Sequence, residues 1–364
     1  MRSILKIGIV GLNAESGWAC YAHLPALARV EGVRVTAVAT TRMESAREAA
    51  ARFAIPHAFD NPVALASSPD VDLVLVSVKA PSHSEPVMAA IAAGKAAFVE
   101  WPMGASLAEA QAMTDAGRRA GVPTFVGIQA RAAPPVVHAK ALTEQGYVGR
   151  VISAAMQGSY SFWGNPVATA YSTDVRNGAT ILTIPGGHGL DMLTFLLGEV
   201  ASLSARETHL RDQTMAADVG RMVAMTSPDQ FACVGDLKSG ALFSAHFVGA
   251  ALRGEQFRLH IVGDAGELLL EGDGMPEIAK LRLFGTQDKA SPLRPIDVPL
   301  LAAGLIEPPA PGPSFNVACL WAAIASHTTG SSPPPNFEAG LRSRILIDTI
   351  ARSAALGGAP LQVG

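Results

Sequence analysis

Leu5-Lys6-Ile7-Gly8-Ile9-Val10-Gly11-Leu12-Asn13-Ala14-Glu15-Ser16-Gly17-Trp18 decides the fold. A nearly unbroken apolar run of strand length passes straight into a glycine and a polar turn. A run with so little polar alternation is what a strand buried on both faces requires. The next segment, Tyr21–Arg29, can form a helix, and a second apolar run, Val33–Ala39, follows it. Strand, glycine turn, helix and strand make the first unit of a parallel sheet wound with helices.

The alternation continues outward from there. Glu44–Phe53 is a helical pattern, His57–Phe59 a short strand, and a small helix starts at Pro62. Leu73-Val74-Leu75-Val76-Ser77-Val78 is the clearest buried strand in the chain. Helix His83–Ala93, strand Ala97–Val99, helix Leu107–Ala120 and strand Thr124–Gly127 complete the series. Residues 1–127 are therefore expected to form a dinucleotide-binding Rossmann domain with a doubly wound parallel sheet.

Residues 128–364 read differently. After a helix at Pro134–Glu144 come β-type runs at Val151–Gly158, Ser202–His209, Met222–Thr226, Phe231–Leu237, Ala241–Val248, Phe257–Val262 and Glu267–Leu270. Turn clusters such as Lys238-Ser239-Gly240 and Gly263-Asp264-Ala265-Gly266 separate several of them, which predicts hairpins and a large, mostly antiparallel sheet. Gly187–Leu197 is amphipathic, and Glu307–Ser314 reads as a loop. Helices Phe315–Ser326 and Phe337–Ala355 end the chain, split by Pro333-Pro334-Pro335. The fold class is α/β: a Rossmann domain followed by an α+β domain for substrate and subunit contacts, with a last helix able to pack back on the first domain.

Composition narrows the function. Of 364 residues, 49% are hydrophobic and 16% charged, which supports a large core and not disorder. The net charge is −3 and no basic cluster stands out, so no nucleic-acid footprint is expected. Cys20, Cys233 and Cys319 lie far apart without a CxxC, which fits a reducing compartment and argues against a zinc site. The histidines show no metal spacing either. The initial apolar run is broken by Lys6, and no run reaches the roughly 18 apolar residues of a membrane span. A cytoplasmic protein is the expectation.

A dinucleotide fold wants GxGxxG after its first strand, so that backbone can approach the pyrophosphate at a helix N-terminus. Here only Gly11 is in register; Asn13 takes the second glycine's place and Gly17 falls one residue late. Asn tolerates left-handed backbone better than most residues, so Asn13 is read as a stand-in for glycine. Gly11, Asn13 and Ser16 are the expected cofactor contacts of this turn. An NAD site would end its second strand in Asp or Glu; this chain has Ala39-Thr40-Thr41-Arg42. Hydroxyls and a guanidinium suit a 2′-phosphate, so NADP is expected, with NAD possible.

Four motifs in order make the chain resemble the glucose-fructose oxidoreductase, inositol dehydrogenase and MocA family. They are Ser68-Pro69-Asp70-Val71-Asp72 before the fourth strand, Pro81-Ser82-His83 after it, Gly94-Lys95 leading to Glu100-Trp101-Pro102, and Gly186-Gly187-His188-Gly189-Leu190-Asp191. The resemblance covers essentially the whole chain. It departs from the family at Trp101, where the family has lysine, at Ile184, where the family often has aspartate, and in the glycine loop. Gly11-Leu12-Asn13, Val78-Lys79-Ala80-Pro81 and Glu100-Trp101 are most similar to the galactose-regulon repressor branch, whose members bind dinucleotide as regulators without turnover.

The resemblance implies a sugar, polyol or related carbonyl substrate, hydride transfer, and a homodimer or homotetramer. It implies His188 as acid/base with Asp191 as its partner or the substrate's, and cofactor contacts from Lys79, Pro81, His83, Glu100 and Trp101. Bottom-up, His188 and Asp191 share a helix face at i, i+3; a helix-start cap and a first-turn acid would look the same. Lys79, at the end of the fourth strand, is the candidate for the charge that Trp101 cannot carry. Trp101, Tyr160 and Trp163 offer aromatic faces to a substrate, and Asp174, Arg176 and Asn177 offer polar contacts. Three readings stay open, the first two being an NADP-dependent dehydrogenase and a silent dinucleotide-binding regulator. A redox-cycling hydrolase or lyase on the same fold is a third.

Overall fold

The computed structural model describes residues 4–161, 167–249, 256–299, 304–307, 312–327 and 333–364. The chain divides into two compact units: residues 1–129 with 301–342, and residues 130–300 with 343–364. Residues 301–342 thus cluster with the first unit.

The first unit is built on strands β1 (Leu5–Val10), β2 (Val33–Ala39), β3 (His57–Phe59), β4 (Leu73–Val76), β5 (Ala96–Glu100) and β6 (Thr124–Gly127). All pair in parallel, in the order β3-β2-β1-β4-β5-β6. Strand β4 is buried along its whole length, as its unbroken apolar run requires. Gly8 is demanded by packing: a Cβ there would lie 2.7 Å from Leu65 Cδ2. The segment read as one helix from Tyr21 is two short ones. A π turn, Ala19–His23, leads into α-helix Leu24–Leu27. Pro25, which has no N–H to give to the carbonyl four residues back, sits at that junction.

The second unit carries a nine-stranded sheet, mostly antiparallel. Its strands are β7 (Val151–Ser159), β9 (Val200–Thr208), β12 (Gln230–Leu237), β13 (Leu242–Val248), β14 (Gln256–Gly263), β15 (Glu267–Gly272), β16 (Arg282–Thr286), β17 (Arg294–Pro295) and β18 (Leu361–Gln362). The order is β17-β16-β15-β14-β7-β13-β12-β9-β18, with β7 and β13 the parallel pair. A separate small sheet joins β8 (Val167–Ala168), β10 (Gln213–Ala216) and β11 (Arg221–Ala224). Burial alternates along β12 and β13, so one face is covered.

Helix Gly187–Leu197 lies on that covered face. A Cβ on Gly186 would meet Phe231 Cε1 at 2.7 Å, and one on Gly189 would meet Met156 Sδ at 2.9 Å and Phe247 Cζ at 3.0 Å. The glycines let the start of the helix sink onto the aromatic layer of the sheet. The opposite face is open in the single chain: Val234 and Leu242 are each more than half exposed. Among the described residues, no helix is long and apolar enough to cross a membrane.

Candidate functional site

In the first unit, Gly11 directly follows β1 with φ +97°, and a Cβ there would fall 2.5 Å from Val78 Cγ1 and 2.6 Å from Ser77 O. Backbone sign and the close approach of the chain after β4 both require glycine. Asn13 does not do what the sequence suggested. It takes no positive φ; its Oδ1 instead accepts from the amides of Glu15 at 2.8 Å and Ser16 at 3.2 Å. This is an Asx turn, which replaces glycine geometry with a side-chain acceptor. The positive φ falls on Gly17, at +93°.

A cleft of about 600 Å³ opens on this turn. Val10 to Ala14 line one side and Ala39 to Arg42 the next, with Ser45, Glu48 and Asp60 to Pro62 beyond and Val78, Ser82, Glu85 and Pro86 closing it. Thr40 is occupied locally: its Oγ1 donates to Arg42 O at 2.8 Å and lies 2.7 Å from Ser45 Oγ. These bonds tie the end of β2 to helix Met43–Arg52. Arg42 is the N-cap of that helix and makes no side-chain capping bond, so its side chain leaves the first-turn amides uncapped. Thr41 and Arg42 are exposed. Ser16, Lys79, Pro81, His83, Glu100 and Trp101 do not line this cleft.

Lys79 is exposed and begins the 3-10 turn Ala80–Ser82, while Trp101 is buried before a cis Pro102. His83 is buried and latches two loops. Its Nδ1 lies 3.1 Å from Pro102 O and its Nε2 2.9 Å from Val78 O. Desolvation holds its pKa below the usual histidine value, so the neutral ring has one N–H and satisfies one carbonyl at a time.

Glu100, expected at the cofactor, is buried and faces inward. Its Oε1 lies 2.6 Å from His23 Nε2, and His23 Nδ1 receives the Trp321 indole N–H at 2.9 Å. An indole nitrogen only donates. His23 Nδ1 is therefore the acceptor, its proton sits on Nε2, and that N–H donates to Glu100. Gly127 makes the room: a Cβ there would lie 2.6 Å from a Glu100 oxygen.

In the second unit His188 is buried near the start of its helix. Burial pushes its pKa down to about 3. Asp191 was expected to partner His188 or substrate. Instead both its oxygens are committed: Arg131 Nε donates to Oδ2 at 2.8 Å, Arg131 Nη2 donates to Oδ1, and Ser343 Oγ reaches Oδ1 at 2.9 Å. The Arg131 guanidinium also lies 4.9 Å from the Phe195 ring centre. Tyr160, expected as a substrate face, is wholly buried against Phe247. Asp174 and Arg176 pair with each other at 2.6 Å, and Asn177 donates to Tyr171 O at 2.9 Å. The Arg176 hydrogen bond holds the Asp174 carboxyl below its usual range. Trp163 lies outside the described residues.

Arg131, Ser343, His23, Trp321, Glu48, Asp60 and Gln129 were not singled out from the sequence. Arg131 had one available signal: a cation just after a buried strand and before a helix-starting proline. Among the described residues, no group of three or more His, Cys, Asp or Glu is placed to hold a metal ion.

The first unit fits a dinucleotide. Its sheet order matches two mononucleotide-binding halves meeting between β1 and β4, and Gly11 keeps that crossing open. Among the described residues, buried polar atoms without partners follow three strands in the chain: Trp18 Nε1 after β1, Ser77 Oγ after β4 and Gln129 Oε1 after β6. Unpaired buried polar groups are costly and point to a ligand that pairs them.

The comparisons agree with this geometry. A model of the oxidoreductase family with an NAD-binding Rossmann fold matches residues 5–128, and a model of the Gal80p C-terminal domain matches residues 134–272. Dehydrogenase aclE of Aspergillus oryzae is 33% identical over 288 residues, 76% of this chain and 79% of that protein. The galactose/lactose metabolism regulatory protein GAL80 of Saccharomyces cerevisiae is 30% identical over 316 residues, 79% of this chain and 72% of that protein. A super-repressor mutant of Gal80p from Saccharomyces cerevisiae has the same fold, with TM-score 0.87 over 99% of this chain and 98% of that one at 24% identity. Levoglucosan dehydrogenase in complex with NADH and L-sorbose gives 0.83 over 99% of each chain at 22% identity. The chain belongs to the GFO/IDH/MocA family of oxidoreductases with an NAD-binding Rossmann fold, and its C-terminal domain is of the Gal80p type.

Proposed function

We propose that the protein is an NADP(H)-dependent oxidoreductase acting on a sugar, polyol or related carbonyl compound. The observation that carries this reading is the Gly11 turn, where only glycine fits and the adjoining cleft can take a nucleotide. A bound nicotinamide dinucleotide supplies the hydride acceptor or donor. The backbone of Gly11 to Ala14 holds the pyrophosphate. Thr41, Arg42 and the first amides of helix Met43–Arg52 hold the 2′-phosphate, where NAD would need a carboxylate. Glu48 and Asp60 stand on the same cleft wall and are the groups through which NAD could compete.

On the substrate side, His188 moves the hydroxyl proton. Burial keeps its ring neutral above about pH 3, so it can accept. Asp191, locked by Arg131 and Ser343, is a positioning residue for the helix that carries His188. Lys79 supplies positive charge toward a developing alkoxide, and Trp101 supplies an apolar wall. Tyr160, Asp174, Arg176 and Asn177 have packing or turn-forming partners and are not needed in this reading. The open sheet face with Val234 and Leu242 pairs with a second copy of the chain, and light scattering should report a dimer or tetramer. The free cysteines fit a reducing, cytoplasmic setting.

A second reading is a dinucleotide-binding regulator without turnover. His188 favours it, because a base with a pKa of about 3 is weak, and Trp101 favours it too. The experiment is titration of the purified protein with NADP and NAD, followed by a panel of sugars and polyols watched at the nicotinamide absorbance. NADP binding tighter than NAD together with reduction supports the first reading. Tight NADP binding with no reduction across the panel supports the second.

A further inference from the structure

We infer that Gln129 reads the nicotinamide carboxamide, its Oε1 accepting a hydrogen bond from the carboxamide N–H. Gln129 opens the 3-10 turn Gln129–Ala132, two residues past the end of β6. Only 2% of its surface is exposed. Its Oε1 is buried and has no hydrogen-bond partner among the described residues. An amide left so is a liability of roughly 1–3 kcal/mol per unpaired group, which a methionine of similar volume would avoid. A polar side chain kept at that cost points to a donor that arrives with a ligand.

The sheet says which end of the ligand arrives there. In the order β3-β2-β1-β4-β5-β6, one nucleotide lies over the β1–β2–β3 half and the other over the β4–β5–β6 half. The cleft beside Ala39 to Arg42 belongs to the first half and takes the adenosine end. The nicotinamide end then falls to the half that Gln129 closes. In register, Glu100 of β5 stands opposite Gly127 of β6, and β5 pairs with β4 just before Ser77. Gln129 therefore follows the same carboxyl edge as Ser77, whose Oγ also has no partner. On the nicotinamide ring the carboxamide is the group that carries N–H donors, and a glutamine carbonyl is an acceptor of matching geometry. A site built around such a bond rejects an analogue that lacks the donor, because the buried oxygen is left unpaired again.

This inference rests on the proposed dinucleotide binding, and the test separates the two. The probes are NADP and its 3-acetylpyridine analogue, in which a methyl group replaces the amide nitrogen. Each is titrated calorimetrically into the full chain, wild type, Gln129→Met and Gln129→Glu. The wild type should prefer NADP about tenfold, about 1.4 kcal/mol. Gln129→Met should bind both within about twofold, by losing affinity for NADP alone. Gln129→Glu keeps acceptor oxygens and should keep the preference. A merely structural glutamine would give Gln129→Met weakened equally toward both ligands with the preference intact, and that result overturns the proposal. So does a wild type that does not distinguish the two, which needs no variant to fold. Absence of binding of either dinucleotide to the wild type overturns the parent reading instead.

Discussion

The Gly11 turn and the surroundings of Asp191 solve opposite problems. Around Gly11 exposed Asn13 alternates with buried Leu12 and Ala14, hydroxyls tie the end of β2 to one helix, and nearby Ser77 Oγ has no partner among the described residues. Around Asp191 the carboxylate has spent its capacity on Arg131 and Ser343. The first region holds unused hydrogen-bonding groups, as a binding site must. The second is internally complete, so its strength goes into holding the His188 helix in place.

The largest expected effect tests that completeness. Arg131→Met leaves Asp191 charged, buried and supported by Ser343 alone, and should cost about 3–5 kcal/mol in urea unfolding of the second unit. A loss below about 1 kcal/mol would mean that the pair is not the lock. A smaller effect comes from a half-buried acid of the second unit. Desolvation raises the Glu207 pKa from 4.5 to about 7. The folded state thus holds a proton that the unfolded state has already released, and stability falls as pH rises from about 4.5 through 7. Glu207→Gln should gain roughly 2 kcal/mol at pH 8 and almost nothing at pH 4.5. Equal gains at both values would assign the effect to something other than charge. His188 has the reverse sign: with a folded pKa of about 3, it removes stability as pH falls from about 6.5 toward 3.

In the binding region the effects are smaller and should appear as affinity. Gly11→Ala forces a Cβ against Ser77 O and a strained φ, and should weaken NADP by about tenfold or more while second-unit stability stays put. Arg42→Ala should narrow the preference for NADP over NAD by about tenfold at most. NAD binding better than NADP in the wild type would reverse the reading of Thr40-Thr41-Arg42.

Both contrasted regions were partly legible in the sequence. β1 and β4 could be read because nearly unbroken apolar runs of strand length admit few other structures. Gly11 could be read because it directly follows such a run. Asn13 was misread, since asparagine can serve a turn through left-handed backbone or through its side-chain oxygen and spacing does not distinguish the two. β8 and β10 were missed because strands of two and four residues carry almost no periodicity. The partners of Asp191 lie 60 and 152 residues away, and Trp321 is 298 residues from His23. No local pattern connects them; the fold does. Gln129 was invisible because a glutamine after a strand looks like any solvated loop residue until its burial is known.

The central claim is that His188 handles a proton during hydride transfer. It is tested most directly by single-turnover absorbance with NADP and the best substrate of the panel, comparing wild type with His188→Ala, and with Lys79→Met beside it. The account predicts a wild-type absorbance rise whose rate falls about 10²–10⁴-fold in His188→Ala, with NADP affinity nearly unchanged. An undiminished rate in His188→Ala would contradict it, and so would a wild type that binds NADP tightly yet never transfers hydride.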